Sequence, residues 1–475
     1  METGGKSLKL LKDIFIFALG SLGSKLISFL LVPLYTNVLT RSEYGVSELA
    51  LTIAELLIPF VSVVIFESVL RFGLDSKYNK EDVILTAFRV ALFGSLATIL
   101  ITPFFNLYSS VSEWKWYICA YVIIYIFYSV EMMYLKVKQK NKLYALLSCV
   151  QTLVLAISNI ILLLVFKIGI RGYLLSNIIS HFVITVSAFI LGKIYFDIKC
   201  AKFEKKICVQ MLAYSFPLIF NNIAWWIIHS SDKIMIEWML DSSLLGLYTV
   251  SIKISAIINL FVSVFSQAWS ISAIREYDGE TENSFYANVF KYYSFICFLG
   301  AMIIISVSAP FMKIYVGKNF LEAAKYVPLL VTGTLFSALT TYFSRLYSVV
   351  KKNKNVMFTT VFAAVVNIAA NYILIKSIGV LGAVIGTCIS YFVMLHLQMI
   401  NIRKYVKVKI NYINYSIACV LVIAEALAVT YNFYSAIASI LCITVYLILQ
   451  RKRFYEIKML LKNLISQREV PENVK

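Results

Sequence analysis

The chain has 475 residues, of which 60% are hydrophobic and 15% are charged. Soluble globular proteins have about 45–50% apolar and about 25% charged residues. The composition therefore excludes a water-soluble enzyme, a disordered protein and a nucleic-acid-binding protein, despite a formal net charge of +19.

Apolar runs long enough to cross a bilayer, about 20 residues each, recur from residue 12 to residue 451. They predict an all-α polytopic membrane protein with about fourteen transmembrane helices. The predicted spans are 13–35, 46–70, 83–105, 114–135, 143–166, 171–192, 209–231, 243–270, 289–312, 326–349, 356–375, 378–400, 412–431 and 433–450. The basic segment before the first span has no A-x-A-like cleavage site, so we expect an uncleaved first span and not a signal peptide.

The basic residues predict the orientation of these spans. Lys and Arg are concentrated at both termini and in alternate loops, and cytoplasmic loops are the ones that retain basic residues. Both termini are therefore expected in the cytoplasm, where the basic loops would contact anionic lipid headgroups.

Neither catalytic nor metal-binding motifs are recognisable. The eight cysteines form no CxxC pair and no metal-ligand spacing, and most lie in apolar runs, so we expect neither disulfides nor a metal. No nucleophile elbow, P-loop, H-E-x-x-H or DxD-type segment is present. The sequence thus predicts a protein that is not an enzyme and has no cofactor, although a proton or sodium gradient could drive it.

Two pairs of similar segments indicate an internal duplication. Residues 168–183 (IGIRGYLLSNIISHFV) and 378–393 (IGVLGAVIGTCISYFV) share seven identical positions. A weaker match aligns Thr40-Arg-Ser-Glu-Tyr-Gly-Val with Asp241-Ser-Ser-Leu-Leu-Gly-Leu. Both matches preserve the order of the spans, and six spans per repeat make the repeats parallel.

The duplication predicts two six-helix lobes with a cleft between them, which is an alternating-access arrangement. The predicted lobes are 1–200 and 201–405, followed by two additional helices in 406–451 and a cytoplasmic tail in 452–475. Chance similarity between Ile- and Gly-rich membrane segments is the alternative explanation.

Two stretches resemble a known family. Pro33-Leu-Tyr-Thr-Asn-Val-Leu-Thr-Arg-Ser-Glu-Tyr-Gly45 is similar to the first-loop signature of bacterial polysaccharide flippases, the O-antigen repeat-unit exporters. Phe216-Pro-Leu-Ile-Phe-Asn-Asn-Ile-Ala-Trp-Trp-Ile-Ile-His-Ser-Ser-Asp-Lys233 resembles their seventh helix. These exporters belong to the multidrug/oligosaccharidyl-lipid/polysaccharide superfamily, and the resemblance covers most of residues 10–400.

The resemblance implies a function, a substrate and a location. It implies export of oligosaccharide on undecaprenyl pyrophosphate, from the cytoplasmic to the periplasmic leaflet of the bacterial inner membrane. It also implies a V-shaped pair of lobes around a hydrophilic cavity. The product would serve lipopolysaccharide O-antigen, capsule or exopolysaccharide synthesis, with a polysaccharide polymerase as a candidate partner.

Polar residues inside the spans are candidate cavity residues, because a charge in the bilayer centre needs water or a partner. In span 2, residues spaced by three or four positions share one face. They are Glu48, Thr52, Glu55, Pro59 and Ser62, and Pro59 is expected to kink the helix. Glu48 and Glu55 either line the cavity or form an interhelical salt bridge, for which Lys25 is the candidate partner.

Basic residues inside the spans are candidates for binding pyrophosphate, which carries several negative charges. Lys25 in span 1 and Lys253 in span 8 are the best placed. A structural ion pair with a carboxylate is the alternative role for each. Arg89 and Arg345 lie nearer the cytoplasmic ends, where they would snorkel or meet the headgroup at the entrance.

Span 7 carries Asn222, Trp225, His229 and Asp232 on one face. The first two suit sugar binding, through an amide and an aromatic ring, although Trp225 could equally be a packing residue. His229 and Asp232 are one turn apart and could titrate together, so this pair or Glu55 is the candidate for ion coupling. A histidine that is simply hydrogen-bonded to its neighbour is the alternative.

Three other functions are weighed against the flippase. A proton- or sodium-coupled drug antiporter of the same superfamily would have a smaller, acidic cavity, and the intramembrane lysines disfavour it. A major-facilitator porter would have a G-x-x-x-D-R-x-G-R-like second loop, where this chain reads RFGLDSKYNK. A membrane polymerase or ligase would need a large periplasmic loop, which the predicted spans leave no room for.

Overall fold

The structure is a computed structural model that describes residues 27–275, 284–350 and 352–456. Within these ranges the chain forms helices joined by short connections, and no strand occurs in them. The predicted all-α fold class is confirmed. The α-helices are α1 (Val32–Val38), α2 (Arg41–Ser62), α3 (Ile65–Gly73), α4 (Lys80–Ile101), α5 (Ser109–Ser112), α6 (Lys115–Val137), α7 (Asn141–Asn159), α8 (Gly169–Leu191), α9 (Ile194–Cys200), α10 (Lys205–Met239), α11 (Ser242–Ser255), α12 (Ile258–Arg275), α13 (Ser284–Tyr315), α14 (Val327–Val349), α15 (Asn353–Ile378), α16 (Val380–Ile402), α17 (Tyr412–Thr430) and α18 (Ser435–Leu449).

The number of membrane spans is close to the predicted one. By length and composition, 11 of the described helices can cross a membrane, and the bent pair α11 and α12 would make a twelfth span. Two shorter apolar helices, Ile27–Val38 and Ser435–Leu449, lie where the first and last spans are predicted. The chain is therefore a multi-pass membrane protein, and the exact count of fourteen is not confirmed.

The surface of the helices fits a bilayer environment. Phe93, Leu100 and Val165 are exposed on spanning helices, with 71%, 74% and 69% of their surface accessible. Lipid tails are as apolar as these side chains, so such exposure carries no penalty in a membrane.

The described residues form two compact units. The first contains those within Met1–Lys253, Tyr315–Leu321 and Asn367–Ala383, and the second contains those within Ile254–Ile314, Glu322–Val366 and Val384–Lys475. Helix α10 packs on α2 and α3, so the first unit continues past residue 200. The division into two six-helix lobes at residues 200 and 405 stays a prediction.

The second span is broken and not merely kinked. Helix α2 ends at Ser62, three residues after Pro59, and α3 begins at Ile65. Val63 and Val64 both have positive φ angles, of 51° and 52°, which are rare for β-branched residues. The Ser62 hydroxyl accepts from the Val64 amide, at 3.1 Å, and replaces part of the lost helical hydrogen bonding. The span predicted at 46–70 therefore consists of two helices, and the disturbance predicted beside Pro59 is a break at Val63 and Val64.

The family-like segment at residues 40–46 forms a helix start. The Thr40 hydroxyl accepts from the Glu43 amide while the Glu43 carboxylate accepts from the Thr40 amide, which is a capping box. Its sequence match begins α11 in a similar way, because the Asp241 carboxylate accepts from the Leu244 amide at 2.8 Å. The two matched segments thus have the same local structure.

The two helix starts also pack against each other reciprocally. A Cβ on Gly45 would lie 1.9 Å from the Ser242 carbonyl oxygen, and one on Gly246 would lie 2.1 Å from the Arg41 carbonyl oxygen. Gly45 and Gly246 hold the same position in the two matched segments, and so do Arg41 and Ser242. This local two-fold relation supports the duplication.

The longer sequence match has a structural counterpart as well. Gly169 and Gly379, which are identical in the two segments, both have positive φ angles, of 55° and 63°. Each immediately precedes or begins a helix of 23 residues, α8 or α16. Glycine adopts this backbone conformation without the steric cost that a Cβ would add.

Candidate functional site

Three charged side chains from three helices meet inside the first unit. We call Glu48 of α2, Lys233 of α10 and Lys253 of α11 the ion cluster. Lys233 Nζ donates to Glu48 Oε2 at 2.9 Å, and Lys253 Nζ lies 3.2 Å from Glu48 Oε1. One carboxylate therefore serves two ammonium groups, which leaves a formal charge of +1.

Tyrosines enclose one side of the ion cluster. The Tyr173 hydroxyl of α8 donates to Glu48 Oε1 at 2.6 Å. The rings of Tyr35 and Tyr44 pack on Tyr173, with centroids 4.9 and 6.0 Å away. These rings keep water from the Glu48 carboxylate, and a charge pair interacts more strongly in such a low-dielectric place.

The two lysines differ in exposure. The side chain of Lys233 is 13% exposed and that of Glu48 is 5% exposed, whereas the side chain of Lys253 is 39% exposed. An ammonium group has three N–H donors. Lys253 can therefore hold Glu48 and still present donors to a ligand on its exposed side.

A second carboxylate lies on the same face of α2, two turns further on. Glu55 is exposed and makes no hydrogen bond or ion pair with any described residue. It interacts electrostatically with all three members of the ion cluster. The Trp226 indole of α10 donates to the Thr52 carbonyl at 3.2 Å, which joins the two helices beside it.

The four residues predicted on one face of span 7 make different contacts in α10. The Asn222 amide donates to the Leu218 carbonyl of its own helix at 2.9 Å. The Trp225 ring stacks on His229, with centroids 5.5 Å apart. Asp232 is buried and accepts from the Tyr248 hydroxyl of α11. Asp232 thus binds α10 to α11, next to Lys233.

The remaining predicted residues are not in the ion cluster. Arg89 is exposed and its guanidinium lies over the Phe203 ring, 4.1 Å from the centroid. Arg345 belongs to the second unit, where its Nε donates to the Ser266 hydroxyl at 3.0 Å. Lys25 lies outside the described residues.

Lys233 is the member of the cluster that the sequence analysis missed. The predicted span ends at residue 231, because three charged residues follow, namely Asp232, Lys233 and Glu237. Helix α10 continues to Met239, two turns beyond that end. The helical spacing of Asn222, Trp226 and Lys233 is the signal that places this lysine on the inner face.

Metal-ligating residues are scattered in the described part of the chain. No three His, Cys, Asp or Glu side chains come close enough there to hold a metal ion, and the eight cysteines are free.

The chain is similar to proteins of polysaccharide synthesis. The family described as "Polysaccharide biosynthesis protein" matches residues 10–271. A protein of the Lsg locus of Haemophilus influenzae is 22% identical over 266 residues, which are 55% of this chain and 65% of that protein. The match thus spans slightly less than two thirds of that relative.

The fold is similar to solved membrane transporters. The lipid II flippase MurJ in an inward closed conformation matches with a TM-score of 0.72 and 14% identity, over 92% of this chain and 99% of MurJ. An inward-facing multidrug resistance transporter of the MATE family, in the MOP superfamily, matches with a TM-score of 0.60 and 14% identity, over 80% of this chain and 97% of that one.

Proposed function

Because the chain belongs to the polysaccharide biosynthesis protein family, we propose that it is a flippase of undecaprenyl-pyrophosphate-linked oligosaccharide. It moves the oligosaccharide from the cytoplasmic to the outer leaflet of the bacterial inner membrane by alternating access, without covalent chemistry. The oligosaccharide then enters O-antigen, capsule or exopolysaccharide synthesis, where a polymerase is the candidate partner.

The observation that carries this proposal is the ion cluster. Two lysines in membrane-spanning helices face a single carboxylate, and Lys253 remains partly exposed. A pyrophosphate offers several anionic oxygens to such ammonium groups and forms charge-assisted hydrogen bonds with them. Lys25, Lys253 and Lys233 are the proposed pyrophosphate ligands.

Glu48 has a different role in this mechanism. In the empty site it pairs with both Lys233 and Lys253 and offsets part of their charge, which would otherwise be costly to hold inside the membrane. When the pyrophosphate arrives, it competes with Glu48 for Lys253, the more exposed lysine. The competition keeps the affinity moderate, so the headgroup can leave on the other side.

The proposed orientation gives the order in which the headgroup meets the basic residues. With both termini in the cytoplasm, the ion cluster lies in the outer half of the membrane, since Glu48 is near the start of α2 and Lys233 near the end of α10. Arg89 and Arg345 then lie towards the cytoplasmic side, where they meet the headgroup first.

The proposed site of ion coupling is the pair of Asp232 and His229, or Glu55. We expect the Asp232→Asn variant to lose the dependence of transport on an imposed proton or sodium gradient, while gradient-independent movement persists. Asp232 is buried beside Lys233, so a change in its charge alters the field at the ion cluster. Transport is measured in proteoliposomes at several gradients, with Asp241→Asn as the control outside the cluster. Equal responses of Asp232→Asn and the wild type at every gradient would remove Asp232 from the mechanism.

The pyrophosphate site is tested by binding. The Lys253→Met variant is expected to bind undecaprenyl pyrophosphate about tenfold more weakly, because it loses one charge-assisted hydrogen bond. Isothermal titration in detergent measures the affinity. Lys138→Met is the matched control, since Lys138 pairs with Asp197 at 2.5 Å in the same unit but outside the cluster. Equal affinities of the two variants would exclude Lys253 as a pyrophosphate ligand.

The second candidate function is a small-molecule antiporter. The fold likeness to the multidrug resistance transporter and the acidic residues Glu48, Glu55 and Asp232 favour it. It predicts binding of organic cations at Glu55 and no affinity for undecaprenyl pyrophosphate, so the same titration separates the two functions.

A further inference from the structure

Helix α6 carries three tyrosines that neither the sequence analysis nor the proposed pyrophosphate site uses. Tyr121, Tyr125 and Tyr128 are spaced by four and three residues, so they share one face of the helix. We call them the tyrosine stripe. The His181 ring of α8 lies against all three, with ring centroids 5.3, 5.3 and 4.9 Å away.

His181 is held rigidly behind the tyrosine stripe. Its Nδ1 lies 2.8 Å from the Asn177 carbonyl oxygen, so Nδ1 carries the proton and donates. Its Nε2 lies 3.2 Å from the Gln151 amide nitrogen and accepts from it. Both ring nitrogens therefore have a hydrogen-bond partner. The imidazole therefore positions the three tyrosine rings.

The tyrosine stripe is partly accessible, because Tyr125 and Tyr128 are half-buried, whereas Tyr121 is only 7% exposed. The hydroxyls of Tyr121 and Tyr128 have no hydrogen-bond partner among the described residues. Neither oxygen is fully buried, in contrast to the hydroxyl oxygens of Tyr44 and Tyr108, which are buried without a partner. A phenol hydroxyl that is half-buried and lacks a partner, such as that of Tyr128, can bind a ligand.

Glu55 stands beside the tyrosine stripe. Helices α2 and α6 pack together, and Glu55 interacts electrostatically with Tyr121 and Tyr125. An exposed carboxylate on a spanning helix faces water or a polar ligand and not lipid. The space that Glu55 and the tyrosine stripe share is therefore polar.

From this geometry we infer that the tyrosine stripe and Glu55 form a carbohydrate-binding site. A pyranose ring has an apolar C–H face and a rim of hydroxyl groups. The tyrosine rings match the face, while the phenol hydroxyls and the Glu55 carboxylate match the rim. His181 is a positioning residue, because it contacts the rings and leaves no nitrogen for the ligand.

The proposed carbohydrate-binding site is close to the ion cluster, as a substrate with its sugar joined to the pyrophosphate requires. Glu55 lies on the same face of α2 as Glu48, two turns away, and interacts electrostatically with Lys233, Lys253, Tyr121 and Tyr125. In a lipid-linked oligosaccharide the first sugar is attached directly to the pyrophosphate. The inference rests on the proposed function and assigns the sugar end of the same substrate.

The test compares two lipids that differ only in the sugar. The probes are undecaprenyl pyrophosphate and undecaprenyl pyrophosphate that carries an N-acetylglucosamine trisaccharide. We expect the wild type to bind the trisaccharide lipid roughly tenfold more tightly than the bare lipid, on the scale of one or two aromatic contacts. The Tyr125→Leu variant should lose most of this difference, whereas Tyr125→Phe, which keeps the ring, should retain most of it.

The control is Phe127→Leu, because Phe127 lies on the same helix and packs on Phe88, with ring centroids 5.5 Å apart. This variant should bind the trisaccharide lipid more tightly than the bare lipid by the same factor as the wild type. Unchanged affinity of each variant for the bare lipid shows that the ion cluster is intact and the protein is folded.

Two results would overturn the inference. Equal affinity of the wild type for both lipids, or equal sugar-dependent gains in Tyr125→Leu and Phe127→Leu, removes the carbohydrate site and leaves the pyrophosphate site standing. Failure of the wild type to bind either lipid removes the proposed function together with this inference.

Discussion

Replacing Glu48 with glutamine is expected to destabilise the protein by about 3–5 kcal/mol, the cost of leaving a buried charge without its partner. Lys233 is the residue left without a partner, since its side chain is only 13% exposed. The measurement is the free energy of unfolding in mixed micelles, from a denaturant titration followed by far-UV circular dichroism.

The control for this prediction is Glu67→Gln. Glu67 lies on α3 and makes no ion pair with any described residue, so its variant should lose no more than about 0.5 kcal/mol. A double variant, Glu48→Gln with Lys233→Gln, should recover much of the stability, because the two changes remove one interaction. If Glu48→Gln were as stable as Glu67→Gln, the ion cluster would not be the buried charge centre described above.

The Gly45→Ala variant is expected to lose about 1–3 kcal/mol of stability, the usual cost of overpacking a filled contact. The added Cβ would lie 1.9 Å from the Ser242 carbonyl oxygen, so α2 and α11 must move apart. The movement would also stretch the Lys253–Glu48 pair that joins the same two helices. We therefore expect the loss of stability to be accompanied by weaker transport.

Gly300→Ala is the control, because a Cβ there meets nothing within 4 Å. Since alanine favours a helix interior over glycine, this variant should gain about 0.5–1 kcal/mol. Gly246→Ala should resemble Gly45→Ala, and the double variant should lose less than the sum because both glycines form one contact. Equal stability of Gly45→Ala and Gly300→Ala would contradict the reciprocal packing.

Most of the fold follows from the hydropathy of the sequence. Apolar runs mark the spans because the bilayer requires about 20 consecutive apolar residues in a helix. The break at Val63 and Val64 could not be predicted this way, since valine in a left-handed conformation has no local sequence signal. Pro59 indicated a disturbance in the span but not its position or its form.

Two residues of the ion cluster stand out in the sequence, but Lys233 and the arrangement of the three side chains do not. Glu48 and Lys253 stand out because charges inside spans are rare. Their pairing depends on which helices become neighbours, and helical periodicity alone does not contain that information. An interhelical salt bridge was the alternative to cavity lining for Glu48. Glu48 forms such bridges with Lys233 and Lys253, while Lys25 lies outside the described residues.

The surroundings of the tyrosine stripe also could not be predicted from helical periodicity. Its spacing is visible in the sequence, yet aromatic residues in membrane helices usually serve packing. Only the exposed Glu55 beside Tyr121 and Tyr125, with His181 behind them, distinguishes a binding surface from a packed core.

Translocation in proteoliposomes is the most direct test of the proposed flippase function. The wild-type protein is reconstituted with a fluorescent undecaprenyl-pyrophosphate oligosaccharide, and the fraction that reaches the opposite leaflet is measured by quenching with dithionite. We expect movement that requires the protein and falls at least several-fold in Lys253→Met but not in Lys138→Met. Absence of movement, together with proton-driven efflux of small organic cations from the same vesicles, would contradict the flippase and establish the antiporter.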